Sequence, residues 1–193
     1  MFSESNKKSG CIEVICGSMF SGKTEELIRR LHRAQFANQK IAIYKPVIDN
    51  RYSDVEVVSH DGKSVKSIPV SSPAEILEVD AGVRVIGIDE AQFFDDSLVE
   101  VVQFLADRGI RMIIAGLDMD YLGKPFGPVP KLAAIAEDVQ KLHAICARCG
   151  NLASYSHRLV KDTELVVLGE KTEYEPLCRD CFNKFRKKEK NLK

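Results

Sequence analysis

The chain has 193 residues, of which 45% are hydrophobic and 29% charged, a composition typical of a globular protein. Lysine plus arginine and aspartate plus glutamate both number 28, so the net charge is zero and the basic surplus of a nucleic-acid-binding domain is missing. No apolar run approaches the roughly 18–20 residues that span a bilayer, and the polar N-terminus is unlike a secretory signal. We therefore expect a cytoplasmic protein with neither a nucleic acid nor a membrane as partner.

Strands and helices are predicted to alternate along the first 145 residues. The predicted strands are 11–16, 40–45, 83–88, 110–115 and 139–144. The predicted helices are 24–37, 73–79, 95–108 and 131–136. Between them, the polar segment 47–67 has no strong periodicity, and we interpret it as a mobile excursion that can contain a weak hairpin. The alternation predicts an α/β fold, a mostly parallel sheet flanked by helices on both faces.

A phosphate-binding loop is predicted between the first strand and the first helix. Residues 17–24 match the pattern G-x-x-x-x-G-K-[ST], and they are Gly17, Ser18, Met19, Phe20, Ser21, Gly22, Lys23 and Thr24. In this P-loop the glycines let backbone N–H groups point at phosphate oxygens, and the helix N-terminus adds a favourable dipole. Lys23 then reaches the β- and γ-phosphates of ATP, and the Thr24 hydroxyl binds magnesium. The fold class thereby becomes P-loop NTPase-like, of the RecA-like kind.

Two acids follow the apolar strand that ends at Ile88. Asp89 is predicted to hold the magnesium ion beside Thr24. A carboxylate next to it, that of Glu90, is suited to deprotonate or orient a nucleophile. The nucleophile can be a substrate hydroxyl, as in a kinase, or water, as in an ATPase, and the two acids do not discriminate between them.

Four cysteines form two C-x-x-C pairs, Cys146 with Cys149 and Cys178 with Cys181. Four such thiolates can close a tetrahedral structural zinc site, which would pin the chain between the pairs. Two redox dithiols are the alternative, although neither pair is predicted to open a helix in a thioredoxin-like context. Cys11 and Cys16, in the first strand, are interpreted as core residues. We divide the chain into a catalytic domain, 1–145, and a zinc subdomain with a basic tail, 146–193.

The chain resembles the cellular, zinc-containing (type II) thymidine kinases over residues 12–181. The stretches that carry the resemblance are MFSGKT (19–24), KPVIDNRY (45–52), DEAQFF (89–94), GLD (116–118), KPFG (124–127) and YEPLC (174–178). The resemblance implies transfer of the γ-phosphoryl group of ATP to the 5′-hydroxyl of thymidine. It also implies a homotetramer that thymidine triphosphate inhibits as an end product.

The resemblance further implies roles for individual residues. Glu90 is expected to be the catalytic base, Arg51 to approach the reacting phosphoryl group, and Asp49 to lie near the sugar. The residues expected to contact ATP beyond the P-loop are Asp89, Glu90, Ala91 and Gln92. The residues expected to line the nucleoside pocket are Met19, Phe93, Leu117, Tyr121, Phe126 and Tyr174. A loop between the cysteine pairs is expected to close over the thymine as a lasso.

Two other functions fit parts of the sequence. A RecA-like ATPase stimulated by nucleic acid would use the zinc subdomain to grip DNA, but the zero net charge argues against it. A non-catalytic zinc-ribbon protein that carries a nucleotide is the other alternative. The combination of Lys23, Thr24, Asp89 and Glu90 argues against that alternative.

Overall fold

The structure is a computed structural model that describes residues 10–48, 56–58, 64–160 and 173–190. In chain order its strands are β1 (Cys11–Gly17), β2 (Lys40–Pro46), β3 (Glu56–Val58), β4 (Ser64–Lys66), β5 (Ile68–Val70), β6 (Val83–Ile88), β7 (Arg111–Gly116), β8 (Asp138–Leu142), β9 (Ala144–Ile145), β10 (Leu152–Ala153), β11 (Tyr155–Arg158) and β12 (Tyr174–Leu177). The α-helices are α1 (Lys23–Phe36), α2 (Ser97–Asp107), α3 (Val129–Ile135) and α4 (Arg179–Lys190), and two 3-10 helices cover Pro73–Glu78 and Ala91–Phe93.

Six strands form one parallel sheet in the order β5-β2-β6-β7-β1-β8. Next to the edge strand β8, Val14 of β1 is paired with Ile114 of β7 on one side and with Val139 of β8 on the other. Because all six strands run the same way, the segments that follow β1, β6 and β7 leave from the same edge of the sheet. The predicted mostly parallel α/β sheet is confirmed, and this shared edge brings the P-loop close to Asp89.

Apolar residues cover both faces of the sheet. On one face, Leu27 and Leu31 of α1 pack in a cluster with Ile43 and Ile113. On the other face, a larger cluster joins α2, α3 and the Pro73–Glu78 helix to the strands, and it includes Ile76, Ile86, Leu98, Met112 and Leu132. Burying each such side chain stabilises the fold by about 1.5–3 kcal/mol. The helices on both faces therefore fix the sheet and the edge from which the segments after β1, β6 and β7 leave.

The polar excursion and the short second helix differ in detail from expectation. Strands β3 and β4 form an antiparallel hairpin within the polar segment, as the sequence allowed, with Glu56 opposite Lys66. Within the segment 47–67, for which mobility is predicted, residues 49–55 and 59–63 lie outside the described residues. The predicted helix over 73–79 is a 3-10 helix that ends at Glu78 and begins with a capping box between Ser72 and Glu75.

The cysteine-bearing part of the chain has its own small core. Strand β9 leaves the end of the large sheet and pairs with β10, and β11 pairs with β12. Helix α4 packs on them through Phe182, which stacks on Tyr155 with ring centroids 4.4 Å apart. Across the part of the chain that the structure describes, no helix is both long and apolar enough to cross a membrane.

Candidate active site and metal centre

The P-loop curls between β1 and α1 because three of its residues adopt left-handed backbone angles. These are Gly17 with φ of +142°, Phe20 with +64° and Gly22 with +83°. At Gly17 a side chain is also sterically excluded, since an added Cβ would lie 2.2 Å from the carbonyl oxygen of Leu142. The Lys23 ammonium folds back across the loop and donates to the carbonyl of Ser18 at 2.8 Å. The loop therefore holds a concave backbone with one cation at its rim, as phosphate binding requires.

Asp89, directly after β6, is buried, and hydrogen bonds from two neighbouring residues reach its carboxylate. Its Oδ2 accepts a hydrogen bond from the Thr24 hydroxyl at 3.1 Å, and its Oδ1 accepts one from the backbone N–H of Glu90 at 2.9 Å. Its own N–H donates to the carbonyl of Tyr44 on β2. A hydroxyl and a carboxylate this close are hard oxygen donors that suit magnesium. The residues predicted to bind magnesium are thus adjacent.

Glu90 stands in the left-handed backbone region with φ of +51°, which is uncommon for a residue with a side chain. Its carboxylate accepts a hydrogen bond of 2.5 Å from the Gln92 side-chain amide. Such backbone angles cost of order 1–3 kcal/mol, and they persist where the surrounding contacts hold them. The turn directs Glu90 and Gln92 toward each other, immediately after the aspartate.

Most of the expected pocket residues lie on the segments that follow β6 and β7. The rings of Phe93 and Phe126 meet edge to face at 6.1 Å between centroids. The N–H of Phe126 donates to the carbonyl of Asp118, which folds the segment after β7 back on itself. Leu117 begins this segment, and its N–H is bound by the Gln92 side chain at 2.9 Å. Asp49 and Arg51 lie outside the described residues.

Arg158, which no sequence motif singles out, contacts two further residues expected in the pocket. Its guanidinium lies 3.7 Å from the ring centroid of Tyr121, and its Nε donates to the Tyr174 hydroxyl at 3.2 Å. Arg158 is buried, and the pairing of β11 with β12 sets it opposite Tyr174. A strand residue opposite another across a long connection carries no local signal, so the sequence offered no means of finding it.

Ser156, which no sequence motif singles out either, connects the cysteine-bearing part of the chain to the P-loop. Its hydroxyl accepts a hydrogen bond from the Met19 N–H at 3.0 Å. Phe20 packs against the small core that contains Tyr155 and Phe182. The two parts of the chain therefore meet at the P-loop itself.

The four predicted zinc ligands come together in space. The Sγ atoms of Cys146, Cys149, Cys178 and Cys181 all lie within 4.8 Å of one another. Sulfurs around a tetrahedral zinc ion are separated by about 3.8 Å, given zinc–sulfur bonds of about 2.3 Å, so the donor set fits a structural zinc ion. One argument from the sequence is wrong, because Cys178 directly precedes α4 and the second pair does open a helix. The fourfold clustering still favours a metal site over two separate dithiols.

The thiols of this cluster differ in how readily they ionise. Burial opposes ionisation of Cys146, but hydrogen bonds from backbone N–H groups, that of Cys178 first, outweigh it and lower its pKa to about 6. Burial and the neighbouring thiols raise the pKa of Cys181 to about 12. A bound cation would supply the positive charge that allows all four to ionise together, as metal ligation requires.

Comparison with known proteins decides the family. A sequence model of the family described as thymidine kinase matches residues 10–182. The chain belongs to the thymidine kinase family. The resemblance inferred from the sequence motifs is thereby confirmed, and the cysteine cluster agrees with the zinc-containing branch of this family.

Several bacterial relatives in the thymidine kinase family are similar over nearly their whole length. A protein named thymidine kinase from Bacteroides thetaiotaomicron is 60% identical over 190 residues, which cover 96% of both chains. A second from Porphyromonas gingivalis is 59% identical over 177 residues, 92% of this chain and 87% of the relative. A third from Rhodothermus sp. is 57% identical over 173 residues, 90% of this chain and 81% of the relative.

Proposed function

We propose that this chain transfers the γ-phosphoryl group of ATP to the 5′-hydroxyl of thymidine, giving thymidine monophosphate and ADP. The observation that carries the proposal is the contact of 3.1 Å between Thr24 and Asp89, made directly beside Glu90. It unites a phosphate loop, a magnesium-type donor pair and a carboxylate at one edge of the sheet. Membership of the thymidine kinase family supports the choice of a nucleoside hydroxyl as acceptor.

ATP binding is assigned to residues 17–24 together with 89–92. The phosphates would lie over the N-terminus of α1, where backbone N–H groups and the helix dipole favour negative charge. Lys23 would leave the Ser18 carbonyl, to which it donates at 2.8 Å, and turn to the β- and γ-phosphates. The hydrogen bonds from Lys23 to charged phosphate oxygens are stronger than the hydrogen bond that it gives up, whose acceptor is the neutral Ser18 carbonyl.

Thr24 and Asp89 would hold the magnesium ion through one hydroxyl and one carboxylate oxygen. A magnesium ion at this position neutralises charge that develops on the β- and γ-phosphate oxygens. The Asp89 carboxylate is pre-oriented for this task by the Glu90 N–H, which donates to its other oxygen. The protein thus fixes the donor pair before the nucleotide arrives.

Glu90 would accept the proton of the 5′-hydroxyl as that oxygen attacks the γ-phosphorus. A carboxylate held by a hydrogen bond of 2.5 Å keeps one orientation, as a general base must. Arg51 is assigned to the charge that develops on the transferred phosphoryl group, and Asp49 to the sugar. Phosphoryl transfer depends mainly on such positioning and electrostatic stabilisation.

The thymine would lie among aromatic and apolar side chains, since it is a flat base with a polar edge. The residues assigned to this pocket are Met19, Phe93, Leu117, Tyr121, Phe126 and Tyr174. The zinc ion, held by the four cysteines, would be structural, because four protein ligands leave no open position for chemistry. We also propose the division into residues 1–145 and 146–193, with the segment between the cysteine pairs closing over the base. A homotetramer, inhibition by thymidine triphosphate and a cytoplasmic location stay predictions.

The decisive experiment measures phosphate transfer from ATP to a panel of nucleosides, for the parent chain and for Glu90→Gln. We expect thymidine to be the preferred acceptor, and Glu90→Gln to lower kcat on the order of 100- to 10,000-fold with ATP binding retained. Glu100→Gln, which changes an exposed glutamate of α2, is the matched control. Release of ADP that does not depend on any nucleoside would contradict the proposal.

A further inference from the structure

Gln92 is almost fully buried, and both the oxygen and the nitrogen of its side-chain amide form hydrogen bonds. Its Oε1 accepts the N–H of Leu117 at 2.9 Å, and its Nε2 donates to Oε2 of Glu90 at 2.5 Å. The orientation of the amide follows from its partners, because a backbone N–H can only donate and a carboxylate can only accept. Gln92 therefore links a donor at the end of β7 to the carboxylate that follows β6.

The segment 117–127, which begins at Leu117, also contacts Gln92 at its other end. At Gly127, with φ of +55°, an added Cβ would lie 2.4 Å from the carbonyl oxygen of Gln92. The segment 117–127 thus begins on the Gln92 side chain and returns to the Gln92 backbone. It carries three of the residues assigned to the nucleoside pocket, Leu117, Tyr121 and Phe126.

The neighbourhood leaves this amide little freedom to move. Gln92 has only 2% of its surface exposed, and an added Cβ at Gly116 would lie 2.9 Å from its Oε1. A buried amide that lost either partner would leave a polar group unsatisfied, at a cost of about 1–3 kcal/mol. The distance between Glu90 and the start of the pocket segment is therefore set by one rigid side chain.

We propose that Gln92 is a positioning residue that ties the catalytic carboxylate to the nucleoside pocket. By holding Glu90 and Leu117 at once, it keeps the base at a constant distance from the acceptor hydroxyl. For Gln92 this assignment replaces the contact with ATP proposed above, because only 2% of the residue is exposed. It rests on the proposed function, because it needs Glu90 to act on a bound nucleoside.

Two substitutions separate positioning of the base from support of the loop. Gln92→Met removes both hydrogen bonds at similar volume. Gln92→Glu retains an oxygen for the Leu117 N–H but replaces the donor to Glu90 by a second acceptor. Because a misplacement of about 1 Å can cost on the order of 100-fold in rate, we expect kcat to fall about 100-fold in both variants.

The measurements are kcat, the KM values for thymidine and ATP, and the stoichiometry of ATP binding. We expect one ATP per chain and a KM for ATP within about 2-fold of the parent, so that the loss lies in kcat and not in the folded fraction. Gln103→Met and Gln103→Glu, which change an exposed glutamine of α2, should match the parent chain.

Each outcome distinguishes the two proposals. A kcat within about 3-fold of the parent in Gln92→Glu would overturn the positioning role, since loop support alone would then suffice. If Gln92→Met does not fold, Gln92→Glu decides, because it retains the bond to Leu117. Absence of thymidine phosphorylation in the parent chain would instead refute the proposed function.

Discussion

The backbone N–H of Met19 in the P-loop donates a hydrogen bond of 3.0 Å to the hydroxyl of Ser156 in the cysteine-bearing part of the chain. The hydroxyl of the preceding residue, Ser18, donates a hydrogen bond of 3.4 Å to the carbonyl oxygen of Ala153. Phe20 packs against the small core of the same part of the chain. Three consecutive residues of the P-loop are therefore supported by the part of the chain that carries the cysteines.

Removal of the metal should weaken ATP binding as well as thymidine binding. The cysteine cluster organises β11, which carries Ser156, so loss of the metal withdraws support from the P-loop. We expect ATP affinity to fall at least about tenfold, equivalent to ~1.4 kcal/mol, in protein stripped of zinc and then resupplied with magnesium. Titration calorimetry with ATP checks this, and added zinc should restore binding. Unchanged ATP affinity in the stripped protein would show that the P-loop stands without the subdomain.

Ser156→Ala tests the same contact without touching the metal. The substitution leaves the Met19 N–H without its acceptor, a loss of about 0.5–1.5 kcal/mol for a typical hydrogen bond. We expect the Kd for ATP to rise by roughly 2- to 10-fold. Ser154→Ala is the control, because that hydroxyl contacts His143 instead. Equal effects of the two substitutions would argue against a specific link from Ser156 to the loop.

Glu13→Gln should lower the stability of the fold strongly. The Glu13 carboxylate is 1% exposed and pairs with Arg30 of α1 at 2.5 Å and with Arg111 of β7 at 2.6 Å. Removing one partner of a buried ion pair costs about 3–5 kcal/mol, because the remaining charges stay buried. Urea unfolding should show this loss. Asp80→Asn, which breaks an exposed pair with Lys40, should cost under about 0.5 kcal/mol. A loss of similar size in both variants would contradict the interpretation.

Cys11 should react slowly with alkylating reagents. Burial, assisted by the charge of Glu13, raises the pKa of Cys11 from 9.0 to about 11. At pH 8 the reactive thiolate is then about 100-fold scarcer than for an ordinary cysteine. Mass spectrometry after iodoacetamide treatment checks this, with urea-unfolded protein as the reference.

The raised pKa of Cys11 also predicts how stability depends on pH. Between pH 9 and about 11 the folded chain retains a proton that the unfolded chain releases, so the free energy of unfolding falls as pH rises through this window. Cys11→Ser should lose this part of the pH dependence. An identical slope in the parent and in Cys11→Ser would assign the alkaline loss to another group.

Much of the candidate site was predictable because its residues lie at short, fixed spacings in the sequence. A P-loop needs its glycines and lysine at fixed positions, so residues 17–24 could be identified before the structure. Asp89 and the cysteine pairs follow the same logic, as each pattern reports a local backbone geometry. Thr24 and Asp89 are in contact because the strands that precede them run parallel to the same edge of the sheet, and their binding of magnesium stays a prediction.

The residues that connect these motifs could not be found in this way. Arg158 meets Tyr121 and Tyr174 only through the register of β11 and β12, and no pattern in the chain encodes that register. The helix that begins after Cys178 has a strongly polar sequence, so no apolar periodicity predicts it. Its Phe182 is buried in the small core that surrounds the cysteines.

The amino-acid sequence by itself determined which residue patterns the site contains: the motif of residues 17–24, the acids Asp89 and Glu90, and two pairs of cysteines. Only the tertiary structure decided how these parts hold one another, through Ser156 beneath the P-loop and Gln92 between Glu90 and Leu117. The physical reason is that a motif constrains neighbouring backbone atoms. A hydrogen bond between residues far apart in the sequence depends instead on the packing of the whole chain.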